Sequence, residues 1–143
     1  MKNYQIVVIE DSPSDALFTK IALEEVDPTL QIAWLQDGEE AINFLFPNNS
    51  HPKTKEEYNN IKIILLDLNL PRYTGLEVLK KLKSHTETES IPVVIFSSSE
   101  MKSGIEECIE AGAEQYIVKS IDFDKYTNAI KEVVSGKLVS KIN

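Results

Sequence analysis

Glu10 and Asp11, Asp67, Ser97 and Lys119 each stand directly behind a short apolar run. The runs are Ile6-Val7-Val8-Ile9, Ile63-Ile64-Leu65-Leu66, Val93-Val94-Ile95-Phe96 and Tyr116-Ile117-Val118. One further run, Ile32-Ala33-Trp34-Leu35, leads to nothing obviously reactive. Three carboxylates, a hydroxyl and an amine suit a divalent cation and a phosphoryl group. Clustered carboxylates raise each other's pKa unless a cation relieves the repulsion. Mg²⁺ takes oxygen ligands and is usually held by one or two carboxylates plus a phosphate. Asp67 is the candidate nucleophile, because a carboxylate can attack a phosphoryl donor and form an acyl phosphate. A metal would screen the approaching charges. Lys119 could pair with the carboxylate before reaction and with phosphoryl oxygens afterwards. Ser97 could donate a hydrogen bond to the phosphoryl group, a bond present in one state only, and so bias a two-state segment.

These groups meet only if the runs are parallel strands whose ends share one edge. The runs are continuous rather than alternating, as strands read when helices cover both faces of a parallel sheet. Helical periods lie between them. The first spans Asp15 to Val26 with Leu17, Phe18, Ile21, Ala22 and Val26 as its stripe, Ser12 or Ser14 as cap and Pro13 in its first turn. The second spans about Glu39 to Phe46, and the third Gly75 to Lys83 with Leu76, Leu79 and Leu82 facing in. The fourth spans about Met101 to Ala111, with Ser98 or Ser99 as its expected cap. Gly112 stands where a left-handed terminus belongs. The fifth spans about Phe123 to Ser135 and ends at Gly136, before a short frayed tail, Lys137 to Asn143. Pro47 to Asn60 is polar and predicts a surface loop, long for a helix-to-strand connection.

Strand and helix alternate five times, which predicts a doubly wound α/β fold with right-handed crossovers. In a parallel five-stranded sheet of order 2-1-3-4-5, ligands bind beyond the ends of strands 1 and 3, at the topological switch point. Glu10, Asp11 and Asp67 fall there.

The 143 residues fit one domain with a full core. Hydrophobic residues make up 42% and charged residues 27%, too apolar for disorder. A formal net charge of −8 argues against a nucleic-acid partner, whose phosphates call for Lys and Arg. The first apolar run is too short for a membrane span or a signal-peptide core, so a cytoplasmic protein without a membrane partner is expected. Cys108, the one cysteine, is expected to be a small buried hydrophobe on a helix.

At these residues the chain resembles the receiver domain of two-component response regulators. The matching pieces are Val8-Ile9-Glu10-Asp11, Leu65-Leu66-Asp67-Leu68-Asn69-Leu70-Pro71, Gly75-Leu76-Glu77-Val78-Leu79, Pro92 to Ser97, Ala111-Gly112-Ala113 and Tyr116-Ile117-Val118-Lys119. Each is weak alone; in order, at this spacing, they are specific and cover nearly the whole chain. The resemblance implies a flavodoxin-like (βα)5 sandwich. It implies that Asp67 is the phosphoacceptor, that Asp11 binds Mg²⁺ (with Mn²⁺ as an alternative) directly and Glu10 through water, and that the Asn69 backbone carbonyl is a further ligand. It implies that Ser97 is the switch hydroxyl, Lys119 the phosphoryl-binding lysine and Tyr116 the aromatic switch residue. Asn69 and Ser99 match the two positions that tune autodephosphorylation.

Three departures stand out. Glu10 replaces the commoner Asp, Ser97 stands where many relatives have Thr, and Ser120 follows Lys119 where a cis proline is usual. A non-proline cis bond costs about 2.5–4 kcal/mol, so this loop is either trans and reshaped or strained. The Lys-Ser pair, the Asp-Leu-Asn-Leu-Pro stretch and the insertion after the second helix resemble the small response regulators that partner bacterial phytochromes.

The expectation is a single receiver domain over residues 1–143, without an output domain, that accepts a phosphoryl group from a sensor histidine kinase. Its own chemistry is limited to self-phosphorylation and autodephosphorylation, so it is not an enzyme in the usual sense. Output follows by protein contact, with a homodimer through the fourth helix, fifth strand and fifth helix as one form. Candidate contacts there are Met101, Ile105, Tyr116, Ile121, Lys125 and Tyr126. Pro13, Ser14 and Leu17 are the candidate kinase-docking surface. A haloacid-dehalogenase-type phosphatase is disfavoured because Asn69 stands where it needs a second acid. A flavodoxin-like electron carrier is disfavoured because Glu10-Asp11 would repel a flavin phosphate. A pseudo-receiver that binds partners without phosphorylation is the remaining alternative.

Overall fold

The continuous apolar runs form strands: β1 (Ile6–Ile9), β2 (Ile32–Leu35), β3 (Ile63–Leu66), β4 (Val93–Ser97) and β5 (Gln115–Val118). The computed structural model describes residues 3–48, 50 and 52–139. All four sheet pairings are parallel and the strand order is β2-β1-β3-β4-β5, as expected. Every residue of β1, β3 and β4 is buried, because helices cover both faces there. The edge strands β2 and β5 are half-buried, and Trp34 and Val118 face outward.

The helices are α1 (Pro13–Val26), α2 (Gly38–Leu45), α3 (Lys55–Asn60), α4 (Gly75–Lys83), α5 (Lys102–Glu110) and α6 (Phe123–Val139). One apolar layer joins α2, α4 and α5 to the sheet through residues such as Leu45, Leu79 and Cys108. The other joins α1 and α6 through Ala22, Leu23, Tyr126 and Ile130. Cys108 is buried, and burial raises its thiol pKa, so it serves as a core hydrophobe. Gly112 adopts φ 110°, and the Gly112 and Ala113 N–H groups close α5 onto the Ile109 and Cys108 carbonyls.

Several expectations need correction. The polar segment after α2 is not all loop: Thr54 and Glu57 form a reciprocal capping box that starts α3. Tyr58 then enters the core and its hydroxyl donates to the Leu45 carbonyl (2.7 Å). On α1, Phe18, Ala22 and Val26 of the expected stripe do pack on the core, but Leu17 is 54% exposed, and Thr19 and Leu23 are buried beside them. The cap of α5 is Met101, which offers no side-chain acceptor, rather than Ser98 or Ser99; the Ser99 hydroxyl instead accepts the Met101 N–H. α6 continues through Gly136 to Val139, with Leu138 packed against the core. The tail residues 140–143 lie outside the described residues.

Candidate phosphoryl and metal site

The strand register decides which groups meet. Ile9 pairs with both Leu35 and Leu66, so β1 and β3 end level. The pairing runs one step further: Glu10 N–H donates to Leu35 O (2.9 Å) and Asp67 N–H to Ile9 O (3.1 Å). Glu10 and Asp67 therefore leave the sheet side by side, both buried. Glu10, Asp11 and Asp67 each offer an oxygen, and these oxygens lie within 4.8 Å of one another. Asp11 is exposed, which leaves the cluster open to solvent on one side.

Lys119, just past β5, reaches across to this cluster. Its Nζ donates to Glu10 Oε1 (2.6 Å), Asp15 Oδ2 (2.8 Å) and Asp67 Oδ2 (3.1 Å), with its side chain 9% exposed. Burial would lower its pKa, but the bonds to Asp15 and Glu10 and the charges of Glu10 and Asp67 carry it upward. Glu10 moves the other way. Burial, reinforced by Asp67, pushes its carboxyl up to about 8 against the partial relief from Lys119. Three converging carboxylate oxygens, two of them on buried residues, could hold a hard divalent cation.

The remaining groups sit at the rim. Ser97 is fully buried; its hydroxyl accepts the Ser99 N–H (3.2 Å), and its carbonyl accepts the Lys119 N–H (2.8 Å). Tyr116 is half-buried, and its hydroxyl donates to the Ser99 carbonyl (2.8 Å), so ring and loop are joined at the tip. Asn69 is exposed two residues past Asp67, and its N–H donates to Asp67 Oδ1 (3.2 Å). The expected set Glu10, Asp11, Asp67, Asn69, Ser97, Tyr116 and Lys119 thus gathers at one end of the sheet.

Two elements lock the loop after Asp67. Thr74 and Glu77 cap α4 reciprocally. Gly75 at the helix start donates to Leu68 O (2.9 Å) and lies against the Asp67 carbonyl, where no Cβ fits. The loop after Lys119 is trans: no peptide bond among the described residues is cis. Ser120 Oγ accepts the Asp122 N–H (3.1 Å), and Asp122 accepts the Lys125 N–H (3.0 Å). Serine thus shapes the turn by side-chain hydrogen bonds where a proline would shape it by its ring.

Asp15 was not among the expected site residues. Its partner Lys119 is 104 residues away in sequence, and no local motif announces the pair. Beside it, Pro13, Leu17 and Trp34 line a shallow groove of about 310 Å³ that reaches Glu10. A further surface hollow, about 560 Å³, lies at the opposite end of β5 and is lined by Gln115 and Gly136, away from these groups.

Residues 6–131 match the family model of the response regulator receiver domain. The chain belongs to that family. It is a receiver domain of two-component signalling. Among solved structures, this receiver is similar to the phosphorylated cyanobacterial phytochrome response regulator RcpA, at 28% identity and TM-score 0.81 over 97% of this chain and 96% of that one. It is similar to the Mn²⁺-bound form of response regulator Rcp1, at 28% identity and TM-score 0.79 over 94% of each chain. Among curated proteins it is 27% identical to the probable methanogenesis regulatory protein FilR2 of Methanothrix harundinacea, over 90% of this chain and 79% of that one. It spans 63% and 47% of two further curated relatives, both named as two-component response regulators. No helix among the described residues is long and apolar enough to cross a membrane.

Proposed function

We propose that this receiver accepts a phosphoryl group on Asp67 from a sensor histidine kinase. The observation that carries the reading is the three-way hold of Lys119 on Glu10, Asp15 and Asp67, next to a buried Ser97 hydroxyl. An Asp67 carboxylate oxygen attacks phosphorus, the P–N bond to the donor histidine breaks, and the imidazole leaves with the electron pair and takes up a proton. The product is an acyl phosphate on Asp67. Lys119 faces the new phosphoryl oxygens, and Ser97 turns its hydroxyl from the Ser99 N–H toward them. Glu10, Asp11, Asp67 and the Asn69 carbonyl would hold Mg²⁺ or Mn²⁺, which when bound supplies charge screening for the approach of two anions.

The phosphorylated RcpA and Mn²⁺-bound Rcp1 structures support both parts, and RcpA's phytochrome partnership supports a phytochrome-type kinase for this chain. Output would then be a protein contact governed by phosphorylation, and a homodimer is one form. Met101, Ile121 and Lys125 are exposed on the face of α5, β5 and α6 and suit it; Tyr126 is buried and does not.

Incubation with acetyl phosphate and Mg²⁺, read by intact mass, tests the proposal. One added phosphoryl group is expected, absent from Asp67→Ala and after chelation. An unchanged wild-type mass would favour the phosphorylation-independent pseudo-receiver instead. Size measurement with and without a beryllofluoride mimic tests the dimer.

A further inference from the structure

Four helices here begin with an acid at the third position; Glu40 in α2 accepts the Gln36 N–H (3.2 Å), one residue before its cap, and two of the others use the acid identically. Glu57 in α3 and Glu77 in α4 turn back to accept the N–H of their caps, Thr54 and Thr74. Asp15 holds the same place in α1, three residues past the cap Ser12, and its own N–H donates to Ser12 Oγ (3.3 Å). Its carboxylate does not complete the box. The Ser12 N–H goes to Glu10 Oε2 instead (3.3 Å), and Asp15 Oδ2 accepts from Lys119 Nζ. The helix-start role is thus handed to Glu10, which frees Asp15 to hold the ammonium.

An ammonium has three donors, and Lys119 spends all three on Glu10, Asp15 and Asp67. Of these partners, Glu10 and Asp67 belong to the cluster whose oxygens converge for a cation, and Asp15 does not. When those two carboxylates turn to other work, Asp15 is the anion still holding Nζ. Lysine carries a long, flexible stem, so an ammonium without such an anchor samples many positions.

We propose that Asp15 is a positioning residue for phosphoryl transfer, holding Lys119 over Asp67. This rests on the reading of Asp67 as phosphoacceptor. No bond is made or broken at Asp15; it acts only through Lys119.

The test is the initial rate of phosphorylation by acetyl phosphate at saturating Mg²⁺. Asp15→Ala and the equal-sized Asp15→Asn are compared with wild type, and Asp15→Ala is repeated in a Lys119→Gln background. Loss of the charge-assisted bond is expected to slow the wild-type background by about fivefold or more with Ala, and less with Asn, which can still accept a hydrogen bond. In the Lys119→Gln background the same change should alter the rate by less than about twofold, since the interaction is already gone. The Mg²⁺ dissociation constant, from calorimetry, should move far less than the rate. Wild-type rates in both Asp15 variants would overturn the proposal. So would an equal slowing in both backgrounds, which is what a merely structural role of Asp15 produces. Absence of phosphorylation in the wild type would instead overturn the reading of Asp67.

Discussion

Gly75 lies so close to Asp67 that a Cβ at position 75 would run into the Asp67 carbonyl oxygen and sit 2.7 Å from Leu68 Cα. The start of α4 is docked, backbone to backbone, on the loop that carries the candidate phosphoacceptor. Gly75→Ala must push that loop or the helix aside. A destabilisation of about 1–3 kcal/mol is expected by chemical denaturation, as for other overpacked sites. Slower labelling of Asp67 by acetyl phosphate should accompany it.

Lys119→Met removes the ammonium from three carboxylates while keeping the length of the stem. Breaking a buried ion pair on one side costs about 3–5 kcal/mol, and that loss is expected for the metal-free protein at neutral pH. Added Mg²⁺ should recover more stability in the variant than in wild type, because the cation then replaces the missing charge. Urea midpoints with chelator and with Mg²⁺ check both statements.

Glu10 gives the metal-free protein a distinctive pH dependence. Its carboxyl titrates near the ordinary 4.5 when unfolded and is pushed up to about 8 when folded, chiefly by burial. Between those values the folded chain binds more protons than the unfolded one, so its contribution to stability falls as pH rises. Glu10→Gln should flatten this slope. Mg²⁺ binding needs the carboxylate, so affinity should rise with pH across the same window and each binding event should release protons. Denaturation midpoints against pH and calorimetry in buffers of different ionisation heat measure the two effects.

Tyr58 ties the segment after α2 to the core through one hydroxyl. Tyr58→Phe leaves the ring and removes the bond to Leu45 O, for an expected loss of about 0.5–1.5 kcal/mol. Hydrogen exchange should show faster opening of residues 55–60 with little change in β1 or β3.

The sheet was legible because β1, β3 and β4 are buried on both faces and so are written as unbroken apolar runs. The site was legible for a related reason: a parallel sheet puts all its strand ends at one edge, so Glu10, Asp67 and Ser97 needed only the strand order to meet. What escaped was set by long-range contact. α3 carries the capping signal Thr54–Glu57, yet Tyr58 is its one buried residue, and a single residue makes no periodic stripe. Leu17 fits the apolar stripe of α1 in sequence, but α6 packs on Ala22 and Leu23 and leaves it outside. Gly136 resembles a helix stop, but a solvent-side glycine costs a helix only about 1 kcal/mol, and Leu138 beyond it packs on the core. Asp15 looked like an ordinary first-turn acid until Lys119 arrived from the far end of the chain.

Trp34 is the chain's only tryptophan, and it stands on the open edge of β2, 36% exposed, in the groove that reaches Glu10. Every photon of indole emission from this protein therefore originates at one place, one residue before the end of a strand whose final carbonyl holds the Glu10 N–H. The fold thus carries its own optical gauge: with no label added, the colour and yield of that emission follow the hydration of the groove beside α1.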